Sequence, residues 1–250
     1  MGVALSSAFY DDDEDQNEVE QARLKLKIDV VKAQKLVDAY ILHAYAPMAD
    51  QSILTSLFNH AIESSNNSDL IDAAWFLFVD DDDQICFIQE VLVCLVLLCD
   101  GPWNKRLDCI FELFKCAGID IMMHEDITLA AQVIASALCR LWRAPNISFD
   151  LLSELSEAIA DAAFTKLDKE LDDGIDRKHF VMWAADRFKE NRNVASLESL
   201  TSLYQGDALT GLKKKKKEAW DDDNNDDQGD GEQEDDEQED DEQEDDEQED

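Results

Sequence analysis

Apolar residues recur at helical spacing along almost every stretch that carries them. Leu24, Leu26, Ile28, Val31, Leu36, Val37, Tyr40 and Ile41 alternate with Lys and Asp at near-helical intervals, which predicts helix over most of 21–57, interrupted at Pro47. Ile53, Leu54, Leu57, Phe58 and Ile62 resume the pattern, and SSNNS at 64–68 predicts a loop. Asp69 opens a helix through Leu70, Ile71, Ala74, Trp75 and Phe78, which the polar run from Asp80 to Gln84 stops. Further helices are expected near 85–99, 103–115, 124–143, 149–167 and 177–190, with a last helix or arm over 191–212 around Leu197, Leu200 and Leu203. No period-2 alternation runs long enough to predict a sheet, so the expected fold is all-α.

Four of the breaks share a spacing. Phe164 and Leu167 precede Asp168, Ile175 stands eighth from Asp168, and Phe180 follows the twelfth residue. Phe111 and Phe114 precede Lys115, with Met122 eighth and Ile127 after the twelfth. Leu42 and Tyr45 precede Ala46, with Ile53 eighth and Phe58 after the twelfth. At the remaining break Phe76 and Val79 precede Asp80, but Ile85 and Phe87 come about two residues early, so that loop is expected to be contracted.

This skeleton resembles the EF-hand superfamily, in which helices flank a 12-residue calcium loop. Gly101, Trp103, Lys105, Leu107, Ile110, Phe111 and Phe114, after the run from Phe87 through LVLLCDG, resemble the link between the second and third hands of neuronal calcium sensors and calaxin-like ciliary proteins. Phe164 to Phe188, with Trp183 on the exiting helix, is similar to a terminal hand of those families and of flagellar calcium-binding proteins. The resemblance covers roughly residues 25–190 and implies four EF-hand-like helix-loop-helix units in two pairs, 21–100 and 101–190. It also implies a residue at loop position 8 that bridges paired loops, and an apolar groove for an amphipathic partner helix. The groove residues expected from it are Trp75, Phe78, Phe87, Leu95 and Phe111, together with Phe114, Phe164, Phe180 and Trp183.

Calcium needs oxygens at positions 1, 3 and 5, glycine at 6 and a bidentate Glu at 12. The first loop offers Ala46, Met48, Asp50 and Leu57 at positions 1, 3, 5 and 12, and the third offers Lys115, Ala117, Ile119 and Asp126. Neither makes a calcium cage. The last loop supplies Asp168, Glu170, Asp172 and Asp176 at 1, 3, 5 and 9, but Asp173 stands at 6 and His179 at 12. Those four are the metal candidates, for at most weak Ca²⁺ or Mg²⁺; no other cofactor is expected. The second loop, Asp80 to Asp83, is rich in carboxylate, with Gln89 near the last ligand position.

Charge changes the picture at both ends of the 250-residue chain. The net charge is −37, yet residues 1–20 hold 7 acids and 221–250 hold 21, with no base in either segment. Between them 31 acids face all 22 bases, a mildly acidic globular segment with 45% hydrophobic residues over the whole chain. Residues 1–20 and the 213–250 tail, in which EQEDD repeats from Glu232, Glu237 and Glu242, are expected to be disordered. Such a chain repels phosphate backbones, so no nucleic-acid partner is expected, whereas the tail suits basic proteins such as histones.

Other chemistry is sparse. His43, His60, His124 and His179 form no metal spacing, and no nucleophile-base motif or dinucleotide fingerprint is present, so the chain is expected not to be an enzyme. GDALTGLK at 206–213 lacks the Lys-Ser/Thr of a phosphate loop. No CxxC pair occurs, and the first ten residues show neither a basic n-region nor an apolar h-region, so the six cysteines are expected to be reduced and buried in a cytoplasmic protein. Met1-Gly2 through Ser6 fits the myristoylation pattern at Gly2, but Asp11 to Asp15 oppose anionic lipid, so stable membrane residence is not expected. Lys213 to Lys217 would supply a second lipid signal or a targeting patch. The expected function is a calcium-sensor-like adaptor, in a ciliary or flagellar complex by family resemblance. The alternatives are an acidic-tail chaperone and a live calcium sensor using the last loop.

Overall fold

A computed structural model describes residues 13–62, 67–80, 82–141 and 149–188. The chain divides into Met1–Lys213 and Lys214–Asp250. The second unit, the lysine run, the 191–212 arm and Gly2 all lie outside the described residues.

The described chain is predominantly helical. Its elements are α1 (Asp13–Lys25), α2 (Val30–Leu42), β1 (Met48–Ala49), α3 (Gln51–Ala61), α4 (Ser68–Phe78), β2 (Cys86–Phe87) and α5 (Ile88–Leu98). They continue as α6 (Trp103–Phe114), β3 (Ile121–Met122), α7 (His124–Leu141), α8 (Phe149–Lys166), β4 (Ile175–Asp176) and α9 (Arg177–Phe188). Helix α1 corrects the expectation that the acidic lead-in stays unstructured to residue 20. Its described span is Asp13–Lys25, and Val19, Ala22 and, just past its end, Leu26 give an otherwise polar segment an apolar stripe that is buried. That stripe packs on α4.

Local chemistry sets several helix starts. Asp29 accepts the Lys32 N–H at 2.9 Å and Asp50 accepts the Ile53 N–H at 2.9 Å, each filling one of the orphan donors in a first turn. Asp176 does the same for the His179 N–H at 3.0 Å. Arginines serve helix C-termini: Arg23 Nε donates to the Leu141 carbonyl at 2.7 Å, and an Arg106 guanidinium nitrogen donates to that of Leu97 at 2.9 Å.

Helix α5 is apolar apart from Gln89 and Glu90 and sits in the middle of the core. Ile88 and Glu90 through Leu97 are buried, and the helix packs against α2, α4, α6 and α7. A parallel bridge between Asp29 and Asp100 ties the end of α5 to the start of α2, with the Val30 N–H donating to the Asp100 carbonyl at 2.9 Å. One hydrophobic core runs through all of this. Phe58, Phe78, Phe111 and Phe164 are its largest fully buried side chains. Among the described residues, no helix is long and apolar enough to cross a membrane.

Two antiparallel bridges join the loops in pairs: Met48 with Phe87 and Ala49 with Cys86, then Ile121 with Asp176 and Met122 with Ile175. Met122 and Ile175 are the expected bridging residues. The first loop departs from expectation. Ala49 bridges there, and Ile53 lies in the first turn of α3, because Asp50 caps that helix four residues earlier than the assumed register allows. In the second loop, expected to be contracted, Cys86 meets Ala49 and Phe87 meets Met48, while Ile85 pairs back on Asp80 within its own turn.

Candidate functional site in the paired loops

The inward bridging residues Ala49, Cys86, Met122 and Ile175 are all buried, and each immediately precedes or begins the exit from its loop into a helix. Four residues beyond each stand Ile53, Glu90, Asp126 and His179. This register moves Glu90, rather than Gln89, to the place in the second loop that matches His179 in the last. The signal for Glu90 was available: it is a single charge in an apolar run from Ile85 to Leu98 that contains otherwise only Gln89 as a polar residue.

In the last loop the four metal candidates do not come together. Asp168, Glu170 and Asp172 are exposed, and Asp176 is turned to its own helix, where its carboxylate accepts the His179 N–H and meets His179 Nδ1 at 2.7 Å. The His179 N–H bond is the largest influence holding the Asp176 carboxyl below the usual range, followed among the lowering effects by the His179 ring. Asp173 accepts the Glu170 N–H at 3.2 Å, closing the turn on itself. Among the described residues, no three His, Cys, Asp or Glu side chains converge closely enough to hold a metal ion.

Basic side chains stand in the second and third loops. Lys115, the first residue of the third loop, places its ammonium 3.0 Å from Glu112 and 3.1 Å from Asp120. Arg177, from the start of α9, pairs with the same two carboxylates, at 2.8 Å from Asp120 and in close contact with Glu112. Its guanidinium also lies 5.2 Å from the centre of the Phe111 ring. The Arg177 bond, then the Lys115 bond, holds the Asp120 carboxyl down to about 2. In the second loop Arg140 reaches in from the last turn of α7, its Nε 2.9 Å from Glu90 Oε2 and another guanidinium nitrogen 3.2 Å from the Phe78 carbonyl. Glu90 also accepts the Ser136 hydroxyl at 2.5 Å. Burial pushes the Glu90 carboxyl up, opposed by Ser136 and Arg140.

The histidines are less scattered than their spacing implied. His43 and His60 stack at 4.8 Å between ring centres beside the first loop, and Tyr45 Oη lies 2.6 Å from His60 Nδ1. His124 pairs with Asp161 at 2.9 Å, joining α7 to α8. None of the cysteines is disulfide-bonded. Burial pushes the Cys86 thiol up to about 11 and the Cys109 thiol to about 12, values that suit packing rather than nucleophilic work at neutral pH.

The expected partner groove is not open in this structure. Phe78, Leu95, Phe111, Phe114, Phe164 and Phe180 are buried in the chain's own core. Trp75 and Trp183 are half-buried, and Phe87 is 41% exposed. The physical reason is that α4 to α9 pack on one another and close these rings into one core, which spacing alone does not distinguish from a groove lining. No family model matches the chain, and no curated protein matches it in sequence.

Proposed function

We propose that this protein is a non-enzymatic, calcium-sensor-like adaptor whose EF-hand-like loops keep their shape without calcium, and which binds an amphipathic helix of a protein partner. One observation carries the calcium independence: lysine and arginine side chains occupy the second and third loops, pairing with Glu90, Glu112 and Asp120. A fixed ammonium or guanidinium neutralises a loop carboxylate as a metal would, but it does not come and go with the calcium concentration. In the other two loops, Ile53 and His179 stand where a bidentate carboxylate would be needed. Partner binding is supported by exposed apolar side chains at and beside the first bridge. Met48 and Phe87 face each other across it, 50% and 41% exposed, and Ile41 and Leu42 end α2 nearby in sequence. A cytoplasmic ciliary or flagellar complex is the setting the family resemblance favours.

The decisive experiment is a calorimetric titration of Ca²⁺ into the full chain with near-ultraviolet circular dichroism alongside. The expected outcome is diffuse weak heat from the acidic ends, no saturable site and no change in the tryptophan signal. Saturable micromolar binding that Asp168→Asn removes would restore a live sensor. The 21 acids of 221–250 favour a second reading, an acidic-tail chaperone of basic proteins. Deleting 221–250 separates the two, since histone binding and client protection would vanish under the chaperone reading while capture of a partner helix would persist under the adaptor reading.

A further inference from the structure

The second loop is surrounded by oxygens that look onto a cation supplied by the chain itself. Phe78 ends α4, Asp80 opens the loop and Glu90 lies in the first turn of α5, so the three come from both ends of the loop. All three present an oxygen to Arg140. Its guanidinium nitrogens stand 3.2 Å from the Phe78 carbonyl, 4.0 Å from Asp80 Oδ2 and 2.9 Å from Glu90 Oε2. Ser136, one turn before Arg140 on α7, hydrogen-bonds Glu90 Oε1.

Two carboxylates and a carbonyl facing the three nitrogens of one guanidinium are of the donor types a hard divalent cation takes, with water completing the shell. The placement of Glu90 strengthens the case. The residue is only 7% exposed, and among the described residues its buried Oε2 meets Arg140 as an ion pair rather than through a directed hydrogen bond. Burying a carboxylate is unfavourable unless a cation compensates it, and removing one partner of such a pair leaves the other uncompensated. Arg140 itself is partly exposed, at 29% of its side chain. Lys115 and Arg177 repeat the arrangement around Glu112 and Asp120 in the third loop.

We propose that Arg140 is a tethered cation that holds the second loop closed, and that removing its charge uncovers a divalent-cation site formed by Asp80, Glu90 and the Phe78 carbonyl. The proposal deepens the calcium-independent reading above and rests on it for the wild-type behaviour. It supplies the mechanism by which this loop is insulated from calcium: the charge that would be delivered by the ion is already covalently present, and the side chain fills the space the ion would need.

The test is calorimetric titration of CaCl₂ and of MgCl₂ into full-length Arg140→Gln beside the wild type, with the Arg140→Gln/Glu90→Gln double variant as control. Arg140→Gln is expected to gain one saturable site per chain over the background of the acidic ends, and the double variant to lose it. A folded Arg140→Gln protein with no added site overturns the proposal, as does an added site that survives in the double variant. Should Arg140→Gln be unfolded without metal, far-ultraviolet circular dichroism reads the same question. Recovery of helix on adding Ca²⁺ or Mg²⁺ to Arg140→Gln and not to the double variant supports the proposal, and no recovery or equal recovery overturns it. The wild-type trace judges the calcium-independent reading separately: a saturable wild-type site that Asp168→Asn removes would sink that reading and leave the site gained by Arg140→Gln to decide the role of Arg140.

Discussion

Asp120 sits between two cations, Arg177 and Lys115, and its depressed carboxyl fixes a direction for the acid limb of stability. The ordinary value is 3.8 and the folded one about 2, so the unfolded chain binds the proton first. Its contribution is complete above 3.8 and is lost as the pH falls through about 2. Asp120→Asn is therefore expected to lower stability at neutral pH and to flatten the fall in urea midpoint between those two values; an unchanged slope would remove Asp120 from the acid response. Because the side chain is exposed, the effect is small and salt-sensitive. At this scale the sequence was only half legible. Lys115 could be read directly as a misfit at the start of a calcium loop. Arg177 and Arg140 could not, because nothing in the linear order says that an arginine on α9 or α7 reaches back to Glu112 or Glu90. Charge pairing across 50 to 65 positions is a product of the packing.

Helices were the most legible elements because each carries its own stripe, and the boundaries of α4 to α9 fall within about three residues of those the periodicity predicts. Loop register was harder. It depends on which residue caps the following helix, and in the first loop Asp50 decides it through a hydrogen bond that hydrophobic spacing does not reveal. The last loop depends on a backbone feature as well. Gly174 has φ +67°, and a Cβ there would meet Ile121 Cδ1 at 2.9 Å and Met123 sulfur at 3.2 Å, across the β3–β4 bridge. Gly118 has φ +83° with nothing within 4 Å of the same added atom. Alanine at either site incurs the left-handed backbone cost of about 1–2 kcal/mol. Gly174→Ala also requires the ends of Ile121 and Met123 to move aside. Thermal melts are expected to show a larger loss of stability for Gly174→Ala than for Gly118→Ala; equal losses would mean that the β3–β4 contact gives way without strain.

At the scale of the molecule, the two bridged pairs expected as separate units share one core. Helix α5 of the first half packs on α6 and α7 of the second, α2 packs on α6, and Phe58 and Phe111 belong to the same buried cluster. Sequence periodicity marked which residues are apolar but not that the inward faces of the two halves meet, which is why six expected groove residues turned out to be core. The shared core makes a prediction about cooperativity. Phe58→Ala in the first half and Phe111→Ala in the second should each remove about 3–5 kcal/mol, through lost burial and the cavity left behind. If the core is one unit, differential scanning calorimetry of each variant will show the whole transition moving down together, with calorimetric and van't Hoff enthalpies in agreement. A melt that splits, with one half shifted and the other unmoved, would show two independently folding pairs. The distinction bears on function. A calcium switch needs helix pairs that open when the ion binds, and a core continuous from Phe58 to Phe111, with arginine and lysine fixed beside its loops, resists such opening.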